Sequence, residues 1–236
     1  MSQITKKMRF ISQKISIGQF YDFEKAIELI YSFPKAKFIE NVDTAINLNI
    51  NSKNSDQNIQ NSIIFPYGIE KKKLLVVFAD GLDKKIAFDL GVELSGMEEI
   101  ADKIKKDKKI HIDYVISTPY AMSIVEKLGP ILGPKGLMPN PKNGTITSNI
   151  KKTIENIQKG QVNYRNDKYG IVHLTIGKIN FESYKLKSNL LTLLKSLLKH
   201  KPNQVKGSFI KKVSLSTTMG GSVLLNHNEF LQINKD

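Results

Sequence analysis

Two short segments carry side chains suited to holding a ligand rather than to making or breaking a bond. Ser216-Thr217-Thr218-Met219-Gly220 sets three hydroxyls ahead of a thioether and a glycine. Hydroxyls bond phosphate and ribose oxygens, Gly220 lets the backbone approach, and Met219 offers soft apolar contact to a sugar or base face. A Thr-rich strand end serves pure structure equally well. The second segment is Lys37-Phe38, a cation beside a ring able to stack on a base, or else an ordinary core phenylalanine. A third oddity is the Gly/Pro-rich block Gly129–Lys142. Its glycines admit close approach, its prolines stiffen it, and Lys135 and Lys142 add charge. Composition leaves function and scaffold equally open there, the scaffold reading packing Leu132, Leu137 and Met138 onto a sheet.

Catalysis finds little support. His111, His173, His200 and His227 are scattered with no carboxylate at metal-ligand spacing, and the chain has no cysteine. There is no G-x-S-x-G elbow and no phosphate-cradling glycine motif. The turn Ala79-Asp80-Gly81-Leu82-Asp83 sets two carboxylates where a nucleotide phosphate would sit. No catalytic residue, metal or cofactor is expected, and a small-molecule enzyme is the weaker reading. Charge points elsewhere. With 36 basic and 22 acidic residues in 236, the net charge is +14 and the pI about 9.7, which suits a polyanion. Only Arg9 and Arg165 are arginines. Lysine is a hydrated point charge fitted to backbone phosphates rather than to guanine edges, which favours recognition by shape. No apolar run reaches the roughly 18 residues of a membrane span, and Met1–Arg9 lacks an export signal's apolar core. The expected setting is soluble and reducing.

The elements needed to place these segments follow from periodicity. A helix is expected over Asp22–Phe33, stopped by Pro34, then a half-buried strand from Ala36 to Ile50, where apolar residues alternate. A polar loop, Asn51–Gln60, leads to a short strand ended by Pro66. The style then changes. Leu74–Phe78 reads as a strand buried on both faces, followed by helices near Lys84–Leu90 and Met97–Ile104. A strand at Tyr114–Ile116, a helix from Pro119 and another over Asn149–Lys159 complete a strand–helix alternation. After Gly160 a hairpin is expected, Gln161–Asn166 with Ile171–Ile176. An amphipathic helix over Glu182–His200 and strands at Phe209–Leu215 and Val223–Leu225 follow.

The fold class is therefore α+β in two domains. A discontinuous domain, 1–67 and 160–236, is built from both termini, with an inserted α/β domain of Rossmann-like parallel-sheet type at 68–159. Pro66, Tyr67, Gly68, Lys159 and Gly160 are the expected hinge. Residues 68–159 carry 16 basic and 12 acidic side chains against 20 and 10 elsewhere, so the discontinuous domain is the polyanion-facing one.

Taken together, Lys35–Val42, Ser55-Asp56-Gln57-Asn58, the Gly129–Lys142 block, Tyr164–Lys168 and Lys206 through Gly220 closely resemble the first large-subunit ribosomal protein, the L-one family, in its bacterial form. The likeness runs from about Lys6 to Leu225. It implies the same two-domain layout, no enzymatic activity and no cofactor. It also implies binding to the mobile stalk of large-subunit rRNA beside the exit (E) site, where movement of the stalk helps deacylated tRNA leave. Many bacterial members also repress translation by binding the leader of their own messenger, and a messenger-binding regulator outside the ribosome is the alternative. The partners implied are rRNA, E-site tRNA and that leader, with no membrane and no small-molecule substrate, for a monomer on cytoplasmic ribosomes (an organellar ribosome being the alternative). Carried across by motif, RNA contacts fall on Lys37, Phe38, Glu40 and Asn41 in one patch. Ser216, Thr217, Thr218, Met219 and Gly220 make the other, with Arg165 and Lys168 nearby. The chain departs from the family's usual pattern at Asn41 (Ser or Thr), Gln60-Asn61 (Arg-Gly), Tyr67 (His) and Lys135 (Arg).

Overall fold

The structure is a computed structural model, describing residues 5–16, 18–69, 73–106 and 110–226. In chain order the elements are α1 (Lys6–Lys14), β1 (Phe20–Tyr21), α2 (Phe23–Ser32), β2 (Asn41–Leu48), β3 (Gln60–Ile64), β4 (Leu75–Phe78) and α3 (Gly81–Asp89). Then come β5 (Leu94–Gly96), α4 (Glu98–Lys106), β6 (Tyr114–Ser117), α5 (Met122–Glu126), α6 (Gly129–Leu132) and α7 (Ile150–Gln158). The chain continues through β7 (Gln161–Arg165), β8 (Ile171–Lys178), α8 (Ser183–Lys199), β9 (Ile210–Thr217) and β10 (Ser222–Leu225). The fold divides into two compact units, Met1–Glu70 with Tyr164–Asp236, and Lys71–Asn163.

The unit made from both ends holds a five-stranded sheet in the order β1-β10-β9-β2-β8, antiparallel except where β1 lies parallel to β10. In β2 every second residue, Val42, Thr44, Ile46 and Leu48, is buried, so one face of the sheet forms the core and the other stays half-exposed. The helix α8 covers that core with Leu186, Leu190, Leu193, Leu194 and Leu197, a stripe at helical spacing. From α2, Phe23, Ala26, Ile27 and Ile30 do the same.

The middle unit is a parallel sheet, β5-β4-β6. All four residues of β4 are buried because helices pack on both faces. Val76 and Phe78 point into a cluster with Ile100, Val115 and Leu132, while Leu75 and Val77 point into one with Ile116, Ile150 and Ile154. The Gly129–Lys142 block contains α6. It buries Leu132 and lays Leu137 and Met138 on the first cluster, so these three side chains serve the scaffold.

Two local expectations are corrected. The residues Ala36–Glu40 are not strand but an irregular lead-in to β2. The expected hairpin after Gly160 forms its turn, with Asp167 accepting from the Tyr169 and Ile171 amides at 2.8 Å each, and one antiparallel bridge, Asn166 with Val172, but its pairing goes no further. The strand β7 pairs with β3, and β8 with β2. A turn motif fixes a reversal of the chain; it does not choose the partner of a strand. The residues expected as a hinge make local bonds. Asn189, fully buried in α8, accepts from the Tyr67 N–H at 3.3 Å and donates to the Gly68 and Ile176 carbonyls. Tyr67 also meets the Tyr184 ring edge-on at 5.6 Å. At the other crossing Lys159 caps α7, the Gly160 N–H donates to Ile157, and the Gln161 carbonyl accepts from Lys73 and Tyr114. Tyr67, Gly68 and Gly160 are thus each hydrogen-bonded inside their own unit.

Candidate nucleic-acid interface

Antiparallel pairing of β2 with β9 sets Val42 opposite Thr217. The segment entering β2 and the segment leaving β9 therefore emerge at the same end of the sheet. Two bonds prolong the ladder there: the Asn41 N–H donates to the Thr218 hydroxyl at 3.0 Å, and the Thr218 N–H to the Asn41 carbonyl at 3.2 Å.

The knot that fixes both segments is one carboxylate. Glu40 is 2 % exposed. Its Oε1 accepts from the Ala36 N–H at 2.7 Å and its Oε2 from the Met219 N–H at 3.0 Å, 179 positions away. The Thr217 hydroxyl donates to it as well, and Lys7 Nζ lies 3.9 Å from Oε1. Burial pushes the Glu40 carboxyl up, but the bonds from Met219, Thr217 and Ala36, with the charge of Lys7, outweigh it and hold the group below the usual carboxylate range. A buried anion with several donors is locally over-determined, so the loops it ties adopt one shape.

That shape pushes apolar side chains into solvent. Phe38 is 55 % exposed and Met219 61 %, with Ile39, Lys37 and Thr218 also exposed. Packing among the described residues does not account for either large side chain standing in water. Gly220 is constrained from beneath, since a Cβ there would stand 2.2 Å from the Thr217 hydroxyl oxygen. At Gly221 it would stand 2.4 Å from a methyl of Ile11, which ties α1 to the same turn.

The chain matches the model of the "Ribosomal protein L1p/L10e family" over residues 29–221. It is also 64 % identical over 234 residues to "Large ribosomal subunit protein uL1" of Wigglesworthia glossinidia brevipalpis, covering 99 % of this chain and 97 % of that protein. The chain belongs to the ribosomal L1 family. It is a ribosomal protein of bacterial type and not an enzyme.

For this ribosomal protein, the sheet end brings together Lys37, Phe38, Glu40, Asn41, Thr217, Thr218, Met219 and Gly220, with Ser216 one residue further back in β9, opposite Asp43. Their roles differ from the expectation in two ways. Glu40 and Thr217 are buried and bonded to each other, so they position the surface rather than form it. Arg165 and Lys168 are not nearby. The turn that carries Lys168 abuts the opposite end of β2, where the Leu48 N–H donates to the Gly170 carbonyl. Six residues of strand at about 3.4 Å each separate the ends by roughly 20 Å. Sequence reasoning missed Lys7 and the whole of α1. The signal was present: KKMRFISQK has four cations and no acid.

Proposed function

We propose that the unit built from both ends grips a folded segment of large-subunit rRNA with the surface at this sheet end, making the protein a structural constituent of that subunit. Phe38, Ile39 and Met219 exclude water from sugar and base faces. Thr218 bonds ribose or phosphate oxygens, and Lys37 neutralises phosphate. The observation that carries the reading is the Glu40 knot: one buried carboxylate uses its bonds to hold two exposed apolar side chains from distant parts of the chain in place. A protein that keeps apolar groups in water at a rigid, cationic site is equipped for a shaped polyanion.

Two further roles rest on the family relationship. The protein rides the mobile stalk beside the exit site and assists release of deacylated tRNA. It also binds the leader of its own messenger on the same surface, repressing its translation when rRNA is scarce. Its place is the ribosome of the bacterial cytoplasm; no described helix is long and apolar enough to cross a membrane.

Filter binding with a transcript of the rRNA stalk tests the site. Phe38→Ala and Met219→Ala should each cost about 1–3 kcal/mol of binding, the range for removing a stacked or specific interaction. Wild-type affinity in both variants would refute the site. Competition between stalk and leader transcripts tests the shared surface, since simultaneous binding would separate the two roles.

A further inference from the structure

The helix α1 carries cations and no acid: its nine residues include Lys6, Lys7, Arg9 and Lys14. Its one buried residue is Ile11, 3 % exposed, which packs together with Ile15 over Gly221 in the turn that bears Met219. Helical spacing puts Lys7, Phe10 and Lys14 along one flank of Ile11, as positions four before, one before and three after it. Lys7 reaches Glu40 at the interface end. Lys14 lies 4.7 Å over the centre of the half-exposed Phe10 ring, one helical stretch of roughly 10 Å further on. There the helix borders a cleft of about 390 Å³ lined by Lys14, Tyr21, Lys25, Glu28, Leu29 and Ser32. The residues Lys25, Glu28, Leu29 and Ser32 form one face of α2, the helix that runs toward the Phe38 segment.

We propose that this cleft between α1 and α2 is a second seat for the bound RNA, taking a backbone phosphate between Lys14 and Lys25. The flank Lys7–Phe10–Lys14 leads the strand there from the Phe38–Met219 surface. The proposal rests on the reading of that surface as an RNA site. Two exposed lysines facing one concavity supply charge where a phosphodiester passes, and the Glu28 carboxylate can accept from a neighbouring ribose hydroxyl. An acid-free helix with one buried side chain gains little from folding on its own charge, because like cations at helical spacing repel. A polyanion lying along it removes that cost.

The test is binding of the full chain to the stalk transcript across a salt series. Lys14→Ala/Lys25→Ala should flatten the log–log salt slope by about 0.7–0.9, the share of the one phosphate no longer neutralised, and weaken binding several-fold at low salt. Phe10→Ala should weaken binding with little change of slope. A charge-matched control, Lys85→Ala/Lys127→Ala on exposed positions of the middle unit, should leave the slope as in the wild type. Wild-type slope and affinity in Lys14→Ala/Lys25→Ala, while Met219→Ala is impaired, would overturn the cleft and spare the main site. An equal loss of slope in the control would also overturn it, as a general effect of charge. If Met219→Ala binds like wild type, the main reading falls first. All variants are surface changes, and far-ultraviolet circular dichroism matching wild type checks their fold; Lys25→Gln, on a helix buried along its other face, repeats the measurement with the side-chain bulk retained.

Discussion

Replacing Glu40 by glutamine keeps the shape of the knot and removes its charge, which isolates what the carboxylate does. In the wild type its two oxygens accept from the Ala36 N–H, the Met219 N–H and the Thr217 hydroxyl. A glutamine has one accepting oxygen, and its NH₂ must face one of those backbone donors. One buried N–H then loses its partner, at about 1–3 kcal/mol, and the surviving bonds drop from charge-assisted to neutral strength, at about 1 kcal/mol more. The local cost should be about 2–4 kcal/mol at neutral pH. Because the folded pKa of Glu40 lies below its unfolded value, its contribution is complete above the usual glutamate range and is lost as pH falls through the folded value. The gap between wild type and Glu40→Gln should therefore close on acidification, with wild type losing the stability that the variant never had. Native-state amide exchange at Met219 and Ala36 reads this directly, since it follows opening of the knot without needing the two units to unfold together. RNA affinity should fall in parallel, because the loops that carry Phe38 and Met219 become an ensemble. Unchanged protection of the Met219 amide in Glu40→Gln, or a gap independent of pH, would refute the account of Glu40 as the organising anion.

Other changes test other parts of the structure. Gly220→Ala drives a methyl against the Thr217 oxygen that serves Glu40, so it should cost about 1–3 kcal/mol in denaturant unfolding and weaken RNA binding; a silent substitution would mean the turn is not constrained as described. Asn189→Ala strips partners from Tyr67, Gly68 and Ile176 inside the core and should destabilise by about 2–4 kcal/mol, whereas a loss under about 1 kcal/mol would show that the crossing is not anchored there. Arg165→Ala/Lys168→Ala combined with Met219→Ala should give additive losses of binding free energy, within about 0.5 kcal/mol, because the two sets stand at opposite ends of the sheet. Strong coupling between them would return all three residues to one patch.

Much of the architecture could be read from periodicity because burial imposes it. The alternation of β2, the two-faced run of β4 and the leucine stripe of α8 each follow from one element meeting one core. The helix α1 left little periodic signal because its apolar residues, Met8, Phe10 and Ile11, hold helical spacing for a single step, and only Ile11 is buried. The strand β5 is three residues long and mostly backbone in its pairing, so it leaves little trace either. In the site, Phe38 and Met219 stood out by residue type, and the structure leaves both in solvent. The role of Glu40 was hidden for a physical reason. Glutamate is ordinarily a surface residue, and nothing in its neighbours announces that donors from Ala36, Thr217 and Met219 will converge on it. The misplaced pair Arg165 and Lys168 reflects the same limit, since which end of a strand a turn joins depends on strand order, and that is settled by long-range packing.

The Glu40 knot also sets a timetable. Its donors Thr217 and Met219 leave the synthetic machinery among the last described residues of the chain, long after Lys37 and Phe38. A nascent polypeptide therefore carries an unfinished clasp for the roughly 180 residues between Glu40 and Met219, and non-local closure of this kind is slow to form. Until Thr217 and Met219 have joined it, nothing holds the segment carrying Phe38 in the shape of the finished surface.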